Sequence, residues 1–159
     1  MKILFLDMDG VMNNYRYNSY WCKMFGRGVS DCIDPLCMLQ LNRIIDVTGC
    51  DVVISSSWRR WLRDGFDLAA FEMLLSTHGF CGKVVGATST RRVAAPGETE
   101  RSKEIRQYLL DNPSITAYAV LDDDTEPIEN FVHVNNDVGL SFQDAEKAIR
   151  LLLGKNDQA

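Results

Sequence analysis

Apolar residues are bunched in short blocks along the chain, and the blocks differ in period. Residues 3–7 (Ile-Leu-Phe-Leu-Asp) and 51–55 (Asp-Val-Val-Ile-Ser) are continuous apolar runs that end in a polar residue, the pattern of strands buried on two faces. Residues 117–122 repeat it, and residues 83–85 and 131–134 are shorter segments of the same kind. Helical spacing fills the gaps. Asp34 as N-cap and Pro35 at the first helical position open a helix with Leu36, Leu39, Ile44 and Ile45 facing inward, closing near Gly49. Asp67 caps a second helix that buries Phe71, Leu74 and Leu75 and stops at Gly79. Residues 99–110 form a third, ended by Asn112-Pro113. Ser141, three residues before Asp144, starts the last, which buries Ala145, Ile149 and Leu152 and stops at Gly154. No fixed-period repeat is present. Strands alternating with helices predict an α/β fold with right-handed crossovers, a mainly parallel five-stranded sheet, and a site at the strands' C-terminal edge.

Length and composition narrow the picture. A chain of 159 residues suits one domain, 1–159, and leaves no room for a large second one. Its 46% apolar and 25% charged residues are ordinary for a globular protein. The formal net charge of −5 gives no overall attraction to a polyanion, so any nucleic-acid contact must be local. Five cysteines (Cys22, Cys32, Cys37, Cys50, Cys81) show no CxxC pair and no histidine at zinc spacing, which predicts reduced, structural thiols. The N-terminal apolar run is too short for a signal peptide or a membrane span. These features predict a cytoplasmic protein with no membrane association, and no obligate protein partner is evident.

The polar residues at the strand ends carry the chemistry. The first strand runs into Asp7-Met8-Asp9-Gly10-Val11, two carboxylates on a glycine-permitted turn. Such a pair can divide labour, one attacking or binding a cation while the other moves protons. An acidic turn without chemistry is the competing explanation. The second strand ends in Ser55-Ser56-Ser57, followed by Trp58-Arg59-Arg60; hydroxyls and free amides there suit a phosphate oxygen, although serines also serve as plain N-caps. Arg101 and Lys103 open the third helix, where either can supply a cation over the sheet edge or simply be solvated. Asp122-Asp123-Asp124 close the fourth strand, and a divalent cation would relieve their mutual repulsion. An all-oxygen donor set favours magnesium, Mg2+.

The order strand-Asp-x-Asp-Gly-Val, strand-Ser, basic residue at a helix start and strand-Asp-Asp resembles the four motifs of the haloacid dehalogenase (HAD) superfamily, over residues 3–124. More narrowly, Val53-Ile54-Ser55-Ser56-Ser57-Trp58-Arg59, Gly86-Ala87-Thr88, Arg101 with Glu104 and Ile105, and Val120-Leu121-Asp122-Asp123-Asp124 look like the small HAD domains associated with RNA-repair proteins. The resemblance implies a Rossmann-like three-layer sandwich and an aspartyl-phosphate route. Asp7 would be the nucleophile and Asp9 the acid and base. Ser55 would hold a phosphoryl oxygen, with Ser56 and Arg59 as further substrate contacts, and Arg101 would take the place of the family's basic residue in competition with Lys103. Magnesium would be held by Asp7, the Asp9 carbonyl and Asp123, with Asp122 as alternative or additional ligand, because motif four departs from the commoner Gly-Asp form. Retention of Asp9 favours phosphatase action over dehalogenation, since an alkoxide leaving group needs an acid.

Residues 12–50 hold a flap or cap insertion together with the first helix. Its Tyr17 and Trp21 can stack a base, or simply pack the flap onto the body, and Arg91-Arg92 is a second candidate phosphate contact. The expected activity is a magnesium-dependent phosphomonoesterase acting on a phosphorylated small molecule, nucleotide or RNA end. A phosphotransferase and a catalytically silent binding module on the same scaffold are the alternatives; loss of Asp7, Asp9 or motif four would favour the latter, and all are present.

Overall fold

The computed structural model describes residues 1–26, 32–58, 67–89 and 99–154, without the side chains of Trp21 and Phe25. Five strands, β1 (Lys2–Leu6), β2 (Asp51–Ile54), β3 (Val84–Ala87), β4 (Ala117–Asp122) and β5 (Phe131–His133), form one sheet in the order β3-β2-β1-β4-β5. Every neighbouring pair is parallel. Continuous apolar runs make such strands because both faces are covered, and here the period of two divides them between two cores. Leu4, Leu6, Val52, Ile54, Ala119 and Leu121 face the larger cluster, shared with α3 (Pro35–Thr48), α4 (Leu68–Thr77) and α6 (Phe142–Leu152). Ile3, Phe5, Val53 and Val120 face the smaller one, built on Ile105 of α5 (Glu100–Asp111). Phe5 is fully buried, with ring contacts to Tyr108 and Tyr118 at centroid distances of 5.6 and 6.1 Å. Truncating it to alanine would cost about 3–5 kcal/mol. The result is a three-layer α/β/α sandwich.

Helix starts follow the caps. Asp34 accepts from Leu36 N at 2.8 Å and Asp67 from Ala70 N at 2.7 Å. Thr99 with Ser102 and Ser141 with Asp144 form reciprocal capping boxes. One face was misassigned by spacing alone. Leu36 and Leu39 are 71% and 61% exposed, whereas Cys37, Met38, Leu41, Ile44 and Thr48 are buried. Inward rotation is set by the sheet and by α6, and Leu36 is left facing the flap groove.

The flap region is short helical turns: α1 (Tyr15–Tyr17), a π-helical turn (Asn18–Cys22) and α2 (Lys23–Phe25). Its root is tied to the β5–α6 loop by Tyr15 N to Asn136 O (2.8 Å) and Arg16 N to Asp137 O (3.2 Å), and to α3 by Asn14 Nδ2 to Asp34 Oδ2 (2.7 Å). A disulfide joins Cys22 to Cys32, contrary to the expectation of all-reduced thiols; Cys37, Cys50 and Cys81 are free. Chain spacing carries no sign of this pair, which meets because the flap turns back toward the start of α3. Thiol chemistry therefore gives no support to a cytoplasmic location. No described helix is long and apolar enough to cross a membrane.

Candidate active site

The strand order dictates where a site belongs. From β1 the chain proceeds outward through β2 and β3, then returns to β4 on the other side of β1, so the sheet's switch point lies between β1 and β4. Leu6 pairs with Leu121 in that register, which sets Asp7 beside Asp122 at the carboxyl edge. Asp7 N donates to Leu121 O at 3.0 Å, continuing the ladder to the acid itself.

Carboxylate oxygens of Asp7, Asp122 and Asp123 lie within 4.8 Å of one another. Asp7 and Asp122 are buried, 5% and 1% exposed. Burial pushes the Asp7 carboxyl from its ordinary 3.8 up to about 7, aided by the Asp122 charge and opposed by Arg101 and by hydrogen bonds from Ser56 and Met8 N. Asp122 and Asp123 are raised in the same way, first by burial. Gly10 lets the carboxylates approach. It has φ +76°, and a Cβ there would meet the Asp123 carboxylate, with Oδ1 at 2.9 Å. Three hard oxygen donors, costly to ionise together and held by a turn without a side chain, fit a magnesium ion. Asp124, by contrast, is exposed and turns its backbone N–H to Asp122 Oδ1 at 3.0 Å.

Arg101 reaches this cluster from the first turn of α5. Its guanidinium lies 2.9 Å from Asp122 Oδ2 and 3.4 Å from Asp7 Oδ1, and also donates to Ser55 O. Burial disfavours its charge, but Asp7 and Asp122 outweigh that, so its pKa is raised. Lys103 is half-buried two residues later, where a helix turns the side chain about 200° away from Arg101's direction. Among the described residues, Arg101 forms ion pairs with Asp7 and Asp122. The helix start that carries it is held by Glu126, which accepts from Thr99 Oγ1 and from Ser102 N.

Ser55 and Ser56 are both buried. Ser55 N donates to Leu6 O at 2.9 Å, and its hydroxyl meets Thr88 Oγ1 at 3.5 Å, which in turn meets Glu104 Oε2 at 3.4 Å. Ser56, not Ser55, hydrogen-bonds the Asp7 carboxylate. Asp9 is exposed and stands apart from the acidic cluster: Oδ1 accepts from Asn13 Nδ2 (2.8 Å) and Trp58 Nε1 (2.9 Å), and Oδ2 from Ser57 Oγ (3.2 Å). Sequence reasoning gave no role to Asn13, Thr88 or Glu126, and took Ser57 only as part of the serine run suited to a phosphate oxygen or an N-cap. The SSSW run was visible, but the partner of Ser57 and Trp58 lies 48 and 49 residues away, while Asn13 bonds within its own turn, to Asp9 and Gly10.

The flap residue Tyr17 lines an open, largely apolar groove of about 840 Å³ with Arg16, Tyr20, Met24, Pro35 and Leu36. Arg59, Arg91 and Arg92 lie outside the described residues, as does the side chain of Trp21.

The family model described as the HAD domain in Swiss Army Knife RNA repair proteins matches residues 3–145. The chain belongs to this family. Its five-stranded parallel sheet and three layers are those of a HAD Rossmann-like fold, and at superfamily level it is a HAD-type hydrolase. The match spans β1 to the first turns of α6, so every strand and every residue of the acidic cluster falls within the HAD domain. No curated protein and no solved structure matches the chain.

Proposed function

We propose that this HAD domain is a magnesium-dependent phosphomonoesterase that works through an aspartyl-phosphate at Asp7. The observation that carries the reading is the meeting of Asp7, Asp122 and Asp123 beneath the Arg101 guanidinium at the switch point of the sheet. Asp7, Asp122 and Asp123, with the Asp9 carbonyl, would hold magnesium, which when bound neutralises phosphoryl charge and keeps Asp7 ionised.

In the first half-reaction an Asp7 oxygen attacks phosphorus, the bond from phosphorus to the leaving oxygen breaks, and Asp9 gives its proton to that oxygen, releasing an alcohol. In the second, the Asp9 carboxylate takes a proton from water, whose oxygen attacks phosphorus. The phosphorus bond to Asp7 breaks, freeing inorganic phosphate and restoring both acids. Arg101 spreads positive charge toward the phosphoryl oxygens, and the buried Ser56 hydroxyl steadies the attacking carboxylate. Ser55 is assigned to a phosphoryl oxygen, with Arg59 as a further contact from the segment after Trp58. Arg101 is favoured over Lys103 as the cation because its guanidinium lies 3.4 Å from Asp7 Oδ1 and 2.9 Å from Asp122 Oδ2.

A nucleotide or RNA terminal phosphate is the proposed substrate. The family's description supports this, and the flap groove lined by Tyr17 and Tyr20 offers aromatic faces on which a base can stack. The test of the activity is phosphate release from para-nitrophenyl phosphate. Chelation should abolish it and magnesium restore it, and Asp123→Asn should weaken magnesium dependence more than Asp124→Asn. Full activity in chelator would overturn the assignment.

A further inference from the structure

We propose that Trp58, together with Asn13 and Ser57, is a positioning residue for Asp9, setting the carboxylate that handles the leaving-group proton. The inference rests on the reading of Asp9 as the acid and base.

Asp9 is exposed at the rim of the site, where a carboxylate on a short turn would ordinarily exchange among rotamers. Here three donors from two separate segments converge on it. The indole N–H of Trp58 donates to Oδ1 at 2.9 Å, Asn13 Nδ2 to the same oxygen at 2.8 Å, and Ser57 Oγ to Oδ2 at 3.2 Å. Two of the donors, Trp58 and Asn13, are themselves anchored. Trp58 is 4% exposed, with its ring edge-on to Phe71 at 6.4 Å, so a rigid, buried side chain presents its single donor outward. Asn13 is 4% exposed, and its Oδ1 accepts from Gly10 N at 3.0 Å, tying it across the turn that carries Asp9. Ser57, which donates to Oδ2, also lines a polar cleft of about 480 Å³ with Arg101 and Thr99.

A buried tryptophan could use Asp9 merely as the partner its N–H needs. That role would leave catalysis indifferent to the bond once folding is preserved. The positioning role makes a different prediction, because proton delivery matters most when the leaving oxygen is a poor leaving group.

The experiment compares wild type, Trp58→Phe, Asn13→Asp and Asp9→Asn on an alkyl phosphate and on para-nitrophenyl phosphate, at saturating magnesium. Trp58→Phe keeps an aromatic ring against Phe71 and removes the donor. It should lower kcat on the alkyl phosphate roughly 10- to 100-fold, with KM little changed, and lower it far less on the aryl ester. Asn13→Asp, which keeps an oxygen for Gly10 N but replaces the donor with a carboxylate that repels Asp9, should show the same selectivity at least as strongly. In the Asp9→Asn background, adding Trp58→Phe should cost little more, since both act through one group. Equal losses on both substrates, or additive losses in the double variant, would overturn the inference while leaving Asp9 in its role. If Asp9→Asn itself showed no preference for the better leaving group, the acid–base reading would fall, and the inference with it.

Discussion

Asp7, the proposed nucleophile, shows how a single residue can be costly to the fold. Its carboxyl is buried between β1 and β4 and titrates near 7 in the protein without metal, against an ordinary 3.8, because burial disfavours the charge more than Arg101 supports it. The folded state therefore holds this proton where the unfolded chain has lost it. The stability contributed by the neutral form is complete below about pH 4 and is lost as pH rises through about 7. Asp7→Asn removes the charge, so in chelator at pH 8 the variant should unfold with a free energy on the order of a few kcal/mol above wild type, with little difference near pH 4. Denaturant titrations at the two pH values measure this. Magnesium should raise wild-type stability at pH 8 and leave Asp7→Asn nearly unmoved, and that variant should have no turnover. Identical unfolding of the two proteins at pH 8 would show that Arg101 fully offsets burial.

At the scale of elements, α5 works as a mount for Arg101. The Thr99 and Ser102 capping box starts the helix, and Glu126 fastens that start from the loop after β4. Glu126→Gln keeps the shape but weakens a charged acceptor at a helix N-terminus, so a loss of about 1 kcal/mol in stability is expected. A larger relative fall in kcat should accompany it as Arg101 loses its aim. Urea unfolding and steady-state kinetics on the same preparation separate the two effects, and a stability loss with unchanged kcat would remove Glu126 from the site's support. The flap is the other element with a distinct prediction. If Tyr17 stacks a base, Tyr17→Ala should lower kcat/KM for a nucleotide or short RNA phosphate about tenfold, from a stacking contribution of roughly 1–3 kcal/mol, and spare para-nitrophenyl phosphate. Equal effects on all substrates would leave Tyr17 as packing.

Across the whole molecule, the sheet was legible because parallel strands covered on both faces must be continuous apolar runs, and three helix starts because Asp34, Asp67 and Ser141 are caps that act on their own neighbours. The inward face of α3 was not. Leu36 and Leu39 have the right spacing, but α6 and the sheet select the stripe through Met38 and Leu41, and spacing carries no information about what lies opposite. The acids at the strand tips could be read for the same local reason as the strands, whereas the pairing of Arg101 with Asp7 and Asp122 depends on how α5 is docked, which the sequence left open between Arg101 and Lys103. Least readable were Trp58, whose bond to Asp9 joins positions 49 residues apart, and the Cys22–Cys32 disulfide, which no motif announces. Tertiary closure creates these pairings, and single-chain patterning does not contain them.

The central claim is a covalent phosphoryl group on Asp7, and trapping it is the most direct measurement. The protein is mixed with magnesium and a phosphomonoester, quenched in the steady state, and reduced with borohydride, which converts an aspartyl-phosphate to homoserine and leaves free aspartate unchanged. Peptide mass spectrometry then reads residues 3–11. The account predicts homoserine at position 7 alone, dependent on both magnesium and substrate and absent from Asp7→Asn. Rapid substrate hydrolysis with position 7 unlabelled, or with the label on Asp9 or Asp122, would contradict it.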